Sequence, residues 1–305
     1  IHRAALLRFH ARRYKKNRGS PIKCGRQGLD SPVKCVYLQR YSPVKCGWTE
    51  NYSLMECDLK IRIMERLAIN ELLKWKNKEY RKPLIVEGAR QVGKTWLVKE
   101  FARQNYRQLA YVNFEEMKIL QNLFEQDFNI PRILTAIGAV TNVTCTEGDT
   151  LIFLDEIQAA PQAITSLKYF AENAPGYHVI AAGSLLGIEL HVGESFPVGK
   201  VEFLPLYPMN FIEFVMAMGE KNLAQLLQTK DWNMITMFAP KFQELLKYYY
   251  YVGGMPEAVL SFSQRRDWKE VRAIQKDILN SYQRDMSKHA PSEIIPRMAD
   301  LWKSL

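Results

Sequence analysis

One stretch of this sequence combines residue types and spacing that could bind phosphate. A short apolar run, Leu84–Val86, leads into the pattern G-x-x-x-x-G-K-T, and a helical pattern follows. Glycines let consecutive backbone N–H groups turn toward an anion, and the next helix adds its positive dipole end. We therefore predict that a nucleotide binds here, with Lys94 on the β- and γ-phosphates and Thr95 on a magnesium ion. The predicted nucleotide-binding residues are Gly88, Ala89, Arg90, Gln91, Val92, Gly93, Lys94, Thr95 and Trp96.

Two adjacent carboxylates form the second candidate for chemistry. The apolar stretch after Thr150 ends in Asp155 and Glu156, which describes a buried strand with acids at its C-terminal end. In open parallel sheets ligands bind at that edge. We predict that Asp155 holds the magnesium ion and that Glu156 polarises an attacking water. Taken alone, the stretch could equally be an ordinary strand followed by a charged turn.

A third buried run, His178–Ser184, ends in a small polar residue. Ser184 is predicted to sense the γ-phosphate and the attacking water. A serine also ends strands for turn reasons alone, so that alternative stays open.

Amphipathic and apolar segments must position these residues. Apolar spacing predicts a helix at 65–75, a second from Lys94 to Asn105, and strands at 109–114 and 200–206. Helices are expected over 115–140, with Pro131 opening one of them, and over 162–171. The segments 209–218, 223–227 and 242–252 also read as helices. The run Tyr248–Tyr251 could stack on bases, but on a helix its members point in different directions, which favours packing.

The basic charge of the chain is concentrated at its start. Residues 1–62 hold 14 of the 42 Lys and Arg but 4 of the 32 Asp and Glu, which leaves the rest neutral. There S-P-x-K-C recurs with an 11-residue period at Ser20, Ser31 and Ser42, with a degenerate copy at Ser53. The gaps between its cysteines are unlike close C-x-x-C zinc pairs. We predict a disordered tail without a functional role.

Composition indicates an ordinary globular protein. The 305 residues are 47% apolar and 24% charged, and no apolar run approaches the roughly 18 residues of a membrane span. We expect a cytoplasmic protein without membrane association. Five scattered histidines give no metal cluster and no pairing with a nucleophile.

The motifs GARQVGKTW, LIFLDEIQ, AAGSLLG, FPVGKVEFLPLYPMNFIEF and YVGGMPEAV together resemble prokaryotic AAA-type P-loop ATPases that carry a C-terminal domain of unknown function. The resemblance covers residues 64–305. It implies an α/β fold, a parallel sheet of strand order 5-1-4-3-2 flanked by helices and followed by a helical region. It also implies ATP and Mg²⁺ as ligands and catalytic roles for Lys94, Glu156 and Ser184.

The resemblance also suggests how the chain is divided. We expect a P-loop ATPase core at 63–215, a helical lid or linker at 216–277, and the start of a truncated C-terminal domain at 278–305. Gly253 and Gly254 would form a helix–helix corner and Pro256 a helix start. An arginine finger is not identified, and Arg90, Arg266 and Arg284 are candidates.

Three functions remain open at this stage. The leading interpretation is hydrolysis of ATP to ADP and phosphate, used as a conformational switch. A P-loop kinase acting on a small molecule is the alternative, although two carboxylates on a buried strand favour activation of water. The third is a nucleotide-regulated DNA-binding module with little turnover, against which the neutral charge of the body argues. A homo-oligomer, a protein partner and nucleic acid remain open as partners.

Overall fold

Five parallel strands form one sheet at the centre of the described chain. The computed structural model describes residues 64–184 and 197–289 and isolated positions beyond them, so the predictions for the tail lie outside the described residues. The strand order is β2-β3-β4-β1-β5, which confirms the predicted order. All neighbouring strands run parallel. The strands are β1 Leu84–Gly88, β2 Gln108–Asn113, β3 Thr150–Asp155, β4 His178–Ser184 and β5 Glu202–Pro205.

Helices cover both faces of this sheet and continue after it. Six precede or follow strands of the sheet: α1 Ala68–Lys76, α2 Lys94–Asn105, α3 Lys118–Gln126, α4 Ile130–Thr141, α5 Pro161–Asn173 and α6 Phe211–Ala217. The others follow in sequence: α7 Lys221–Thr229, α8 Trp232–Met237, α9 Ala239–Val252, α10 Pro256–Arg265 and α11 Trp268–His289. None of the described helices is long and apolar enough to cross a bilayer.

Alternating side chains of β3 divide the core into two layers. Ile152 and Leu154 pack with residues of α3, α4 and α5, whereas Leu151 and Phe153 pack with residues of α1 and α2. Every residue of β3 and β4 is buried, as expected for central strands of a parallel sheet covered on both faces. Asp155 and Ser184, the C-terminal residues of these two strands, therefore lie buried at the same edge of the sheet.

A separate apolar cluster holds the later helices together. Phe214 of α6, Leu245 of α9, Phe262 of α10 and Val271 of α11 belong to it. The predicted corner lies here: Gly253 ends α9 and Pro256 opens α10. A Cβ on Gly254 would lie 2.2 Å from the carbonyl oxygen of Met209, so glycine is needed for that close approach.

The tyrosine run lies on α9 and its members differ in surroundings. Tyr249 packs against Phe214, and its hydroxyl donates to the carbonyl of Met209 at 2.9 Å. Tyr250, in contrast, is exposed. The structure thus gives Tyr249 a packing role.

Candidate functional site

The glycine-bounded loop connects β1 to α2 at the C-terminal edge of the sheet. Gly88 ends β1, and a Cβ there would lie 2.3 Å from the backbone oxygen of Leu206, so only glycine fits. Helix α2 begins at Lys94, directly after Gly93. The first turn of α2 therefore directs its unpaired N–H groups toward the loop, as an anion site requires.

Lys94 is buried within this loop. Its Nζ donates to the carbonyl oxygens of Gly88 and Ala89, both at 2.9 Å, and the residue is 8% exposed. Burial lowers the pKa of Lys94, whereas the carboxylates of Glu156 and Asp155 act against that shift. The ammonium group is thus held at a fixed place by backbone oxygens and lies in the field of both acids.

Asp155 connects β3 to the first turn of α2. Its Oδ2 accepts hydrogen bonds from the hydroxyl of Thr95 at 2.8 Å and from the hydroxyl of Tyr111 at 3.0 Å. Burial raises the pKa of Asp155, and the hydrogen bond from Thr95 acts in the opposite direction. The two residues predicted to hold the metal are therefore in direct contact.

Glu156 follows Asp155 with a left-handed backbone, φ +51°. Its backbone N–H donates to Oδ1 of Asp155 at 3.1 Å, and its Oε2 accepts from Nε2 of Gln158 at 2.5 Å. The carboxylate thus has a fixed neighbour on the 3₁₀ turn Ile157–Ala159. Gln158 stands in the sequence motif, but sequence reasoning gave it no role.

Ser184 lies beside the start of the loop. It is buried at the end of β4, and its register partner on β1 is Gly88. Since β4 lies between β1 and β3, Ser184 shares one edge with Lys94 and Asp155. The structure therefore brings the five predicted catalytic and metal-binding residues to the same end of the sheet.

A cavity of about 410 Å³ opens above the loop. It is lined by Arg90, Gln91, Gly93, Lys94, Thr95, Trp96, Glu156 and Ser281. A larger cavity of about 870 Å³ lies near the segments that lead into β3 and β4, and none of the predicted site residues lines it. The smaller cavity is the candidate nucleotide site, because the buried Lys94 and Glu156 line it.

Arg66, to which the sequence motifs assign no role, holds the phosphate loop through a hydrogen bond to its backbone. Arg66 is 6% exposed and pairs with Glu213 of α6 at 3.1 Å. Its Nη1 donates to the carbonyl of Val92 at 2.9 Å, and its Nη2 donates to the carbonyl of Tyr207 at 2.6 Å. No signal marked Arg66 in the sequence, since its partners are far away along the chain.

Helix α11 also reaches the loop. The Tyr282 hydroxyl donates to the carbonyl of Arg90 at 2.7 Å, and Nε of Arg90 lies 2.7 Å from Oδ2 of Asp285. Of the other arginine-finger candidates, Arg266 stacks on the ring of Phe262 at 4.8 Å and Arg284 is exposed. A role as arginine finger remains a prediction for Arg266 and for Arg284.

The donor set at this edge suits magnesium. Thr95 and Asp155 offer a hydroxyl and a carboxylate, the hard oxygen ligands that Mg²⁺ prefers, and Mg²⁺ usually completes its shell with substrate phosphates and water. No group of three or more His, Cys, Asp and Glu side chains able to hold a metal occurs among the described residues. The residues present therefore fit a magnesium ion that arrives with a nucleotide.

Comparison with protein families agrees with this geometry. The family described as "AAA domain" matches residues 80–215, which contain the loop, both acids and Ser184. Residues 80–215 match an AAA domain. A second family, "Domain of unknown function (DUF8612)", matches residues 243–305. The predicted order of an ATPase core followed by a domain of unknown function is confirmed, and an AAA domain implies nucleotide binding in general terms.

The solved structures to which this chain is similar include one ATPase and two proteins bound to DNA. The Walker-type ATPase PABY2304 of Pyrococcus abyssi is 14% identical, with 79% of this chain and 76% of that chain covered and a TM-score of 0.45. ORC1 of Aeropyrum pernix in complex with DNA is 13% identical over 73% and 66%, with a TM-score of 0.36. Drosophila ORC bound to DNA is 17% identical over 70% and 66%, with a TM-score of 0.32.

Similarity at this level gives no information about activity, substrate or partners. No curated protein matches the sequence of this chain. The match of residues 80–215 to an AAA domain and the residues of the site are therefore the observations that bear on function.

Proposed function

We propose that this chain binds ATP together with Mg²⁺, hydrolyses it to ADP and phosphate, and uses the cycle as a conformational switch. One observation carries the proposal: the Thr95 hydroxyl contacts Asp155 at 2.8 Å, beside a cavity lined by Lys94 and Glu156. A metal-binding pair, a phosphate-binding cation and a carboxylate for water thus meet at one edge of the sheet.

Lys94 and the loop would bind the phosphates. The backbone oxygens of Gly88 and Ala89 hold Nζ of Lys94 in place before any ligand arrives, so little side-chain entropy is lost on binding. The free N–H groups at the start of α2 add further donors for the phosphates. Binding at this loop is therefore directed by fixed charges and dipoles.

Thr95 and Asp155 would hold the magnesium ion, which when bound neutralises phosphate charge during the transfer. Tyr111 keeps Asp155 oriented through its own hydrogen bond at 3.0 Å. Burial raises the pKa of Tyr111, so its hydroxyl remains a donor at neutral pH. Asp155 thus stays oriented toward α2 when the Thr95 hydroxyl changes partner.

Glu156 would accept the proton of the attacking water, and Ser184 would contact the terminal phosphate. Glu156 lines the cavity, and Gln158 fixes one of its two carboxylate oxygens. Ser184 lies next to Gly88, at the start of the phosphate loop. A carboxylate beside the phosphate site supports activation of water, and hence hydrolysis over transfer to an acceptor.

Phosphate release from ATP without added acceptor tests this function. We expect steady release by the unchanged chain and a loss of about 100-fold or more in Glu156→Gln, because general-base assistance of this size is removed. Glu156→Gln should bind ATP with unchanged affinity. Glu125→Gln, an exposed site on α3, is the matched control and should be fully active. Release that depends on an added hydroxyl compound would favour a kinase and contradict hydrolysis.

A further inference from the structure

Helix α11 forms part of the wall of the candidate nucleotide site. Ser281 lines the cavity above the loop, Tyr282 donates to the carbonyl of Arg90, and Asp285 pairs with the Arg90 side chain. These three residues lie in the region that matches the domain of unknown function, whereas Arg90 belongs to the AAA domain. The two matched regions therefore meet at the phosphate loop itself.

The Arg90–Asp285 pair is more than a surface ion pair. The Arg90 side chain is 34% exposed and that of Asp285 is 12% exposed, so solvent screens the pair only in part. A guanidinium group uses the same N–H donors for carboxylate and for phosphate. Because Arg90 lines the same cavity as Lys94, the Asp285 carboxylate neutralises a positive charge that could otherwise attract a nucleotide phosphate.

We propose that α11 is a latch on the phosphate loop, with Tyr282 and Asp285 as positioning residues that hold Arg90, and that nucleotide phosphate displaces Asp285 from Arg90. This inference rests on the proposed function, because it needs a nucleotide in the cavity. Two ligands of one guanidinium group compete, so the latch lowers nucleotide affinity. By thermodynamic reciprocity, nucleotide loosens α11 by the same factor.

A variant of Tyr282 distinguishes the latch from simple repulsion between the Asp285 carboxylate and the nucleotide phosphates. The Tyr282 hydroxyl donates to the backbone carbonyl of Arg90 and carries no net charge, so Tyr282→Phe leaves the net charge around the phosphates unchanged. If α11 acts as one latch, Tyr282→Phe and Asp285→Asn both weaken it. Both variants should then bind nucleotide more tightly.

Two measurements on the full chain test the latch: the affinity for ATP with Mg²⁺, and amide hydrogen exchange with and without ATP. We expect Asp285→Asn and Tyr282→Phe each to bind ATP about five-fold more tightly or better, the lower end of usual coupling strengths. Asp277→Asn, an exposed site on the same helix, should bind like the unchanged chain. In the unchanged chain ATP should slow exchange at 88–95 and accelerate it at 278–285.

The outcomes separate the latch from the proposed function. Tighter binding by Asp285→Asn alone would reduce Asp285 to a repelling charge and overturn the latch. Weaker binding by either variant would overturn it as well. Slower exchange at 88–95 with unchanged or slower exchange at 278–285 would contradict the latch and leave nucleotide binding standing. No binding and no protection at 88–95 would contradict the proposed function, and the latch with it.

Discussion

At the scale of single residues, Glu156 shows how the site holds a strained group. A non-glycine residue in the left-handed region costs free energy and persists only where its neighbours determine it. Here the backbone N–H of Glu156 donates to Asp155, and the side chain is held by Gln158. Glu156 lines the cavity from this left-handed position.

Removing the side-chain amide of Gln158 tests whether it orients Glu156. We expect Gln158→Ala to lower the rate of phosphate release about ten-fold, because a misplaced base loses much of its effect. The dissociation constant for ATP should stay unchanged, since Gln158 does not line the cavity. Gln162→Ala, an exposed glutamine at the start of α5, is the control. A change in affinity without a change in rate would contradict this role.

The residues of the site that belong to short sequence motifs could be predicted. The residues that contact the loop from distant parts of the chain could not. Lys94, Thr95 and the Asp155–Glu156 pair follow from motifs in which a strand, a turn and a helix impose the geometry. Arg66 is different because Glu213 lies 147 residues away, and Tyr282 is different because Arg90 lies 192 residues away. Nothing local distinguishes such residues from ordinary surface charges and aromatic residues.

At the scale of elements, Arg66 and Glu213 join the segment before α1, the phosphate loop and α6. Arg66 precedes α1, its Nη1 supports the loop at Val92, and Glu213 caps α6 together with Asn210. The side chains of the ion pair are 4% and 5% exposed, so neither charge is hydrated. Each charge therefore depends on the other for its compensation.

Breaking this pair should destabilise the fold. Arg66→Met leaves the Glu213 carboxylate buried without its cation, and we expect a loss of about 3 kcal/mol in the free energy of unfolding. Denaturation with urea measures the change. The control, Arg103→Ala, removes an exposed arginine paired with Glu100, and should stay within about 0.5 kcal/mol. Similar losses in the two variants would contradict the supporting role of Arg66.

Periodic apolar patterns predicted most elements but missed α8 and α11. Strands β3 and β4 and helix α2 show buried runs or apolar spacing, and the structure has each of them within one residue of its predicted ends. Helix α8 has no buried residue and hence no apolar stripe to read. A cap forms it instead, since the Asp231 side chain accepts from the N–H of Met234.

At the scale of the whole molecule, the sheet order could be predicted because the resemblance fixed it. The order places β1 between β4 and β5, so the loop after β1 lies next to Ser184 and one strand away from Asp155. None of the sequence motifs, in contrast, predicted the contact between α11 and the phosphate loop. It joins two regions that match separate families, and only the three-dimensional structure brings them together.

A buried histidine makes the stability of the fold depend on pH. His178 begins β4 and its Nδ1 lies 2.6 Å from the Tyr106 hydroxyl. Burial, followed by the charges of Arg81 and Lys76, lowers the pKa of His178 to about 4. The unfolded chain thus binds the proton more strongly than the folded one. This contribution to stability is complete above the unfolded pKa of about 6.5 and is lost as pH falls.

We expect His178 to account for a loss of about 2 kcal/mol in the free energy of unfolding between pH 7.5 and pH 5. Denaturation with urea at both pH values measures it. His178→Asn keeps a polar group near Tyr106 but cannot titrate, and acidic residues titrate alike in both chains. The variant should therefore lose about 2 kcal/mol less than the unchanged chain. Equal losses in the two chains would contradict the assignment.

The most direct test of a nucleotide site at the edge of this sheet is the calorimetric affinity for ATP with Mg²⁺. We predict that the unchanged chain binds one ATP and that Lys94→Ala binds at least about ten-fold more weakly, because a charge-assisted contact to phosphate is lost. Lys168→Ala, which removes an exposed lysine of α5, should bind like the unchanged chain. Equal affinity in Lys94→Ala and the unchanged chain would contradict the site.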